Sequence, residues 1–105
     1  MKLVYISHPY TGNEVANRAE TQMLCKQILN HHRDWCLFCP LDNHKFAEDA
    51  GFPYDRFMEW DLFMISKCEI VIFCGDWEHS DGCMKEYREA KRLKKKIFFQ
   101  SSKGG

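Results

Sequence analysis

The chain has 105 residues, of which 45% are hydrophobic and 29% are charged, so it is long enough for one soluble globular domain and unlike a disordered or fibrous chain. Its 15 Lys and Arg residues balance its 15 Asp and Glu residues, which argues against an overall attraction to nucleic acid or to an anionic membrane. No run approaches the roughly 20 apolar residues of a membrane helix, and no signal-peptide pattern precedes the first strand. We therefore expect a cytoplasmic protein.

The six cysteines are best interpreted as thiols, because disulfides are rare in cytoplasmic proteins. Cys25, Cys68, Cys74 and Cys83 fall at positions where burial is expected. Cys36 and Cys39 have the spacing of a metal-ligand pair, but no second pair stands at the spacing that zinc sites use. The sequence therefore predicts neither a metal nor a cofactor.

The first predicted strand covers residues 2–7, and the turn after it begins with His8 and Pro9 and ends at Gly12. Asn13 can cap the following helix, predicted over residues 14–30. A strand, a tight polar turn and a helix N-terminus together can hold phosphate or sugar hydroxyls on backbone N–H groups. An ordinary strand–helix connection fits the same pattern, because neither G-x-G-x-x-G nor a P-loop is present.

The predicted core-facing stripe of this first helix follows its helical period. Its members are Val15, Ala19, Met23, Ile28 and Leu29.

A second strand is predicted over residues 35–39, ended by Pro40. Residues 41–51 are polar and mixed, and include His44. They predict a loop that can contain one helical turn, in a place where binding loops are common.

The next helix is predicted over residues 54–67 after Pro53, which suits a first helical turn. Asp61 shares a face of this helix with Phe57, Met58 and Ile65. An acidic side chain on an otherwise apolar face needs a partner, water or a function.

The four apolar residues 70–73 predict a strand buried on both faces, followed by a polar loop over residues 75–79. Ser80 and Asp81 can cap a helix that runs to about residue 95. Glu86 lies on the apolar stripe of this helix. It is either satisfied by a nearby Tyr or Lys, or used in function. The last strand is predicted over residues 97–100.

Strands that alternate with helices predict an α/β fold with a parallel sheet and right-handed crossovers. We expect a Rossmann-like (flavodoxin-like) three-layer sandwich with four parallel strands in the order 2-1-3-4. Residues 1–100 form the single domain, and residues 101–105 form a flexible tail. Ligands bind such sheets beyond the carboxyl ends of the strands, so the first loop, Asp61 and Glu86 are expected to converge there.

Three segments resemble motifs of a known family. These are YISHPYTG at residues 5–12, WDL with CEIVI at residues 60–62 and 68–72, and WEHSDGCMKE at residues 77–86. The resemblance, from residue 1 to about residue 99, is to a family of small bacterial and phage proteins. That family is similar to the nucleoside 2-deoxyribosyltransferases and the deoxynucleoside 5′-monophosphate N-glycosidases.

This resemblance implies a homodimer in which Glu86 is the nucleophile that attacks the anomeric carbon. Asp61 would contact the sugar or assist proton transfer, and Tyr5 would donate a hydrogen bond to Glu86. The implied substrate-binding residues come from the first loop and from the turn before the last helix: Ser7, His8, Pro9, Tyr10, Gly12, Asn13, Gly75, Trp77, Ser80 and Gly82.

The sequence supports three functional hypotheses. The first is an N-glycosidase-like enzyme acting on a (deoxy)nucleotide. The second is a non-catalytic protein that binds a nucleotide or an ADP-ribose-type ligand, because bulky Lys85, Tyr87 and Arg88 surround Glu86. The third is an interaction protein whose basic residues 91–96 contact nucleic acid, although a solvated helix end explains that cluster more simply. Phe57 and Trp60 are candidates for a dimer face.

Overall fold

The structure is a computed structural model that describes residues 1–100, so the predicted tail lies outside the described residues. The strands are β1 (Lys2–Ser7), β2 (Trp35–Phe38), β3 (Ile70–Cys74) and β4 (Lys96–Gln100). The helices are α1 (Glu14–His31), α2 (Pro40–Asn43), α3 (Lys45–Asp49), α4 (Tyr54–Lys67) and α5 (Asp81–Arg92), with a 3₁₀ turn at Trp77–His79 before α5.

All four strands form one parallel sheet in the order β2-β1-β3-β4. In the register, Val4 lies opposite Ile70, and Ile70 lies opposite Lys96. This arrangement confirms the predicted α/β fold, the strand order and the Rossmann-like sandwich.

The sheet is covered on both faces, as the alternation of strands and helices predicts. On one face, Val4, Ile6 and Ile72 pack with Leu24 and Ile28 of α1. The other face packs against α4 and α5, and its buried residues are Tyr5, Val71, Phe73, Ile65, Cys68 and Ala90. Burial on both faces explains why the strand sequences are apolar runs rather than alternating patterns.

The predicted apolar stripe of α1 is confirmed at Ile28, which is buried, but it is wrong at three other positions. Val15 is 80% exposed, and Met23 and Leu29 are also exposed, while the buried residues include Thr21 and Leu24. Thr21 can be buried because its hydroxyl donates a 2.7 Å hydrogen bond to the Asn17 carbonyl, which leaves no polar group unsatisfied. The inward face of α1 therefore contains a polar residue that apolar periodicity cannot detect.

The segment predicted as a loop over residues 41–51 contains two short helices, α2 and α3. Pro40 follows β2 and is also the first residue of α2. A helix makes no internal hydrogen bond to the N–H of its first residue, so the missing N–H of proline costs nothing there. At the other end of the chain, α5 ends at Arg92 rather than near residue 95. Lys94 has a φ of 58°, a left-handed conformation that cannot continue a helix.

Phe57 is 9% exposed and packs inside the chain, so it cannot supply the dimer face predicted for it. The exposed aromatic residues near Trp60 are instead Phe46 and Phe63, which are 66% and 63% exposed.

Within residues 1–100, no helix is long and apolar enough to cross a membrane. All six cysteines are free; Cys68, Cys74 and Cys83 are buried, whereas Cys25 is only half-buried. The same residues contain no group of three or more His, Cys, Asp or Glu side chains arranged to hold a metal ion.

Candidate active site

An open cleft of about 1200 Å³ lies at the carboxyl edge of the sheet. Its walls are the loop after β1, the α2–α3 segment, the first turns of α4, and the turn that leads into α5. Nine of the residues predicted from the sequence line it: His8, Pro9, Tyr10, Gly12, Asn13, Asp61, Ser80, Gly82 and Glu86. The volume exceeds that of pockets that enclose small ligands, commonly about 300–1,000 Å³.

Glu86 sits at the base of this cleft and is 5% exposed. The Tyr5 hydroxyl donates a hydrogen bond to its Oε2 atom, and Ser7 Oγ donates a 2.8 Å bond to Oε1. Tyr5 and Ser7 point to the same side of β1 because they are two residues apart in a strand. Both carboxylate oxygens of Glu86 therefore accept hydrogen bonds from side chains of the sheet.

Ser80 determines where the helix that carries Glu86 begins. Its Oγ accepts a 3.2 Å hydrogen bond from the backbone N–H of Cys83, as a capping residue does. The predicted cap is thus present, and Glu86 lies between one and two turns into α5 on the buried face with Cys83 and Ala90.

The surroundings of Glu86 raise its pKa to about 8, first through burial and then through the negative charge of Asp61. Hydrogen bonds from Tyr5 and Ser7 act in the opposite direction. Burial and the charge of Glu86 also raise the pKa of Tyr5 well above its usual value, so the Tyr5 hydroxyl remains a donor. At neutral pH, Glu86 is therefore protonated in much of the population.

Asp61 lies beside Glu86 and is 8% exposed. His44 Nε2 is 2.9 Å from Asp61 Oδ1, and the His44 ring stacks on Phe57 with centroids 4.5 Å apart. The two polar atoms are close but poorly aligned, so neither makes a hydrogen bond within the described chain. Unsatisfied buried polar atoms are costly, and these two mark a place where a ligand group can complete the bonding.

His8 is fixed by two acceptors. Its Nε2 lies 2.6 Å from Glu20 Oε1, and its Nδ1 lies 2.7 Å from the Pro9 carbonyl oxygen. Gly75 packs against this pair: a Cβ atom at Gly75 would lie 2.9 Å from Glu20 Oε1 and 3.0 Å from His8 Nε2. Gly75 therefore has a packing role, and it does not line the cleft.

Tyr10 ties the loop after β1 to α3. Its hydroxyl donates a 2.6 Å hydrogen bond to Glu48, and Arg18 donates to both Tyr10 and Glu48 at 3.2 and 3.3 Å. The Arg18 guanidinium also lies over the Tyr10 ring. These contacts fix one rim of the cleft.

Three of the predicted substrate-binding residues lie outside the cleft lining: Ser7, Gly75 and Trp77. Trp77 packs against Phe73, Tyr87 and Phe99, with ring centroids 5.0–5.4 Å away from its own. Ser7 is 1% exposed and directs its hydroxyl to Glu86. The structure thus gives Ser7 a place beside the predicted nucleophile.

The sequence did not identify His44 as a site residue, although it lies in the segment predicted to bind. Its contact with Asp61 is a tertiary one between α4 and the residue that joins α2 to α3. No local spacing relates the two positions, so no sequence pattern could have linked them. Glu20 and Tyr54, which also line the cleft, were missed for the same reason.

A family model described as "Domain of unknown function (DUF4406)" matches residues 2–99. No curated protein matches the chain.

Proposed function

We propose that the chain, which belongs to the DUF4406 family, is an N-glycosidase-like enzyme that cleaves the base–sugar bond of a (deoxy)nucleotide. The observation that carries the proposal is a buried Glu86 held by Tyr5 and Ser7 beside Asp61 at the base of the cleft. The reaction class comes from the resemblance of the motifs around Tyr5, Asp61 and Glu86 to the deoxyribosyltransferases and nucleotide N-glycosidases.

In this proposal, the Glu86 carboxylate attacks the anomeric carbon while the base departs with the electron pair of the N-glycosidic bond. The two hydrogen bonds from β1 hold the carboxylate in one orientation, which lowers the entropic cost of attack. The proton that the Asp61–Glu86 pair retains can pass to a nitrogen of the departing base. Water then hydrolyses the glycosyl ester, as in retaining glycosidases.

The cleft walls suit the two ends of a nucleotide. Tyr10, Phe52, Tyr54 and Phe57 offer aromatic surface for a base. The first turn of α5, at Ser80 and Gly82, is suited to bind a phosphate, because a helix N-terminus favours anions.

The proposal includes a cytoplasmic location and a homodimer. Six free thiols suit a reducing compartment. Exposed Phe46 stacks on Trp60, and exposed Phe63 follows Trp60 by three residues on α4. Apolar aromatic surface of this kind is typical of subunit contacts.

One observation favours the second candidate, a protein that binds a nucleotide or an ADP-ribose-type ligand and leaves it intact. Because the pKa of Glu86 is raised to about 8, most of its population is protonated at neutral pH. A protonated carboxyl group donates a hydrogen bond but is a poor nucleophile.

The two candidates are separated by incubation with each deoxynucleotide and ribonucleotide, followed by chromatography for released base. The enzyme proposal predicts release by the wild-type protein and a decrease of about 10³-fold or more in Glu86→Gln. Glu69→Gln, at the opposite edge of the sheet, should retain the wild-type rate. Calorimetric binding with complete recovery of the nucleotide would instead support the binding protein.

A further inference from the structure

The side chains that line the cleft carry an excess of negative charge. Six acidic residues line it: Glu20, Glu48, Asp61, Asp76, Asp81 and Glu86. Lys85 is the one Lys or Arg among the described residues that line it, and three histidines complete the titratable set: His8, His44 and His79. The chain as a whole has equal numbers of acidic and basic residues, so the excess is local to the cleft.

Four of these acids lie close to a basic group. Glu20 lies 2.6 Å from His8, Glu48 lies 3.3 Å from Arg18, Asp76 lies 2.6 Å from His79, and Asp61 lies 2.9 Å from His44.

The other two acids, Asp81 and Glu86, have no Lys, Arg or His within salt-bridge distance among residues 1–100. Asp61 is buried beside Glu86 at the base of the cleft, where the field of its charge is poorly screened.

A second observation points to a ligand at the same place. Asp61 is 8% exposed and lines the cleft, and its Oδ1 atom, although 2.9 Å from His44 Nε2, makes no hydrogen bond within the described chain. Aromatic rings of Phe52, Tyr54 and Phe57 line the neighbouring wall. Ring faces attract cations. Arg56 already lies over the Phe52 ring and His44 stacks on Phe57, and the ring of Tyr54 favours the same sign of charge as the acids do.

Few groups near Asp61, Asp81 and Glu86 could bind a phosphate. The Ser7 hydroxyl donates its hydrogen bond to Glu86, and Ser80 Oγ already accepts a hydrogen bond from the Cys83 N–H. The three histidines of the lining are each paired with an acid, which leaves Lys85 and the first turn of α5 as groups of the described lining that attract an anion. The charge of the base should therefore influence binding more strongly than the presence of a phosphate.

We propose that the ligand of this cleft is an N-glycoside whose base carries a positive charge, such as a pyridinium or an N-alkylated purinium nucleoside or nucleotide. The inference rests on the proposed function for its reaction, and on the excess of acidic over basic side chains in the cleft lining for its charge. The cationic ring lies against Asp61 and the aromatic wall, with the anomeric carbon at Glu86.

The reaction balances without a proton donor for the base. The Glu86 carboxylate forms a bond to the anomeric carbon, the carbon–nitrogen bond breaks, and its electron pair neutralises the cationic ring, which leaves as a neutral heterocycle. Water then attacks the anomeric carbon, the glycosyl ester breaks, and Glu86 is regenerated as one proton enters solution. The sum is cationic glycoside plus water giving free sugar, neutral base and a proton.

The test compares two ligands of the same shape. Nicotinamide riboside carries a permanent pyridinium charge, whereas benzamide riboside is neutral and has a carbon–carbon bond that cannot be cleaved. Calorimetry with Glu86→Gln, which cannot turn the ligand over, should give binding of the cation at least about tenfold tighter than of the neutral compound. Equal binding, or tighter binding of the neutral compound, would overturn the proposal.

Matched variants locate the preference. Asp61→Asn and Asp81→Asn should each reduce the ratio of the two dissociation constants by about threefold or more. Glu69→Gln removes one acid at the far edge of the sheet and should leave the ratio unchanged. A ratio that Glu69→Gln reduces as much as the cleft variants do would contradict the assignment to the cleft.

Turnover separates this inference from the proposed function. If the protein binds the cation preferentially but releases no nicotinamide, the charge preference is supported and the proposed glycosidase activity is refuted. Cleavage of neutral nucleotides as efficiently as nicotinamide riboside or its 5′-phosphate would support the glycosidase and overturn the charge preference.

Discussion

At the scale of single residues, the orientation of Glu86 depends on the alternation of side chains along β1. Tyr5 and Ser7 share one side of that strand and each donate a hydrogen bond to one oxygen of Glu86. Their donors favour the ionised carboxylate, while burial and Asp61 favour the protonated form. The protonation of Glu86 is therefore a balance that single substitutions can change.

Replacing Tyr5 by Phe removes one of the two donors and leaves the ring in the core. The pKa of Glu86 should rise, because the hydrogen bond from Tyr5 lowers it. We expect kcat to fall by about 10²-fold and the acidic limb of the pH–rate profile to move to higher pH. Tyr87→Phe, in the aromatic cluster around Trp77, is the control and should retain the wild-type profile. An unshifted limb in Tyr5→Phe would show that this hydroxyl does not act on Glu86.

Glu86 should also make the stability of the fold dependent on pH. Its pKa is about 8 in the folded protein, against an ordinary value of 4.5 for a glutamate side chain, so the folded protein retains a proton that the unfolded chain loses. The contribution of Glu86 to the free energy of unfolding is fully present below about pH 4.5. It is lost as the pH rises to about 8, at a rate of at most about 1.4 kcal/mol per pH unit.

Glu86→Gln removes this dependence. Urea unfolding of both proteins from about pH 5 to about pH 8 should show the variant gaining stability relative to the wild type as the pH rises. Parallel curves would contradict the raised pKa.

The two acids of the site could be recognised from the sequence because each lies at helical spacing from apolar residues. Glu86 shares a face with Cys83 and Ala90, and Asp61 shares one with Phe57 and Ile65; all of these residues are buried. His44 could not be recognised, because its contact with Asp61 depends on how α2 and α3 pack against α4. Periodicity identifies which side chains face inward, but it does not identify the tertiary partner of each one.

At the scale of elements, the end of β3 approaches the loop after β1 so closely that Gly75 has no room for a side chain. Gly75 has a φ of +63°, and a Cβ atom there would meet both His8 and Glu20. Gly51 has a similar φ of +77° but open space around it. A side chain at Gly51 would therefore meet backbone strain alone, whereas one at Gly75 would meet both backbone strain and steric contact.

Gly75→Ala should lower the free energy of unfolding by about 2 kcal/mol or more, and Gly51→Ala by about 1 kcal/mol. Chemical denaturation of both variants measures the difference, which is the cost of displacing the His8–Glu20 pair. Equal losses would show that the contact at Gly75 is relieved without cost.

The elements themselves were largely predictable, because apolar runs of strand length alternate with amphipathic segments of helix length. The exceptions are α1 and the α2–α3 segment. Thr21 faces the core from α1 while Val15 faces solvent, so the apolar pattern of that helix misleads. Helices of four and five residues such as α2 and α3 are too short to show a period, and tertiary contacts determine them.

At the scale of the whole molecule, an apolar surface lies on α3 and α4 away from the cleft. This surface includes Phe46, Trp60 and Phe63, and both phenylalanines are mostly exposed. Exposed aromatic surface of this kind favours association.

Phe63→Glu should convert the proposed dimer into a monomer, because it places a charge in the contact. Sedimentation velocity measures the change. Val15→Glu introduces the same charge at an exposed position on α1, outside this surface, and should remain dimeric. A wild-type protein that sediments as a monomer at all concentrations would refute the dimer.

The covalent state of Glu86 during turnover tests the central claim most directly. Intact-protein mass spectrometry of wild-type protein quenched during reaction, with neutral and cationic nucleosides and their 5′-phosphates, should show an added sugar that peptide mapping places on Glu86. The adduct should be absent from Glu86→Gln. An adduct on another residue, or base release without any adduct and undiminished in Glu86→Gln, would contradict the assignment of Glu86 as the nucleophile.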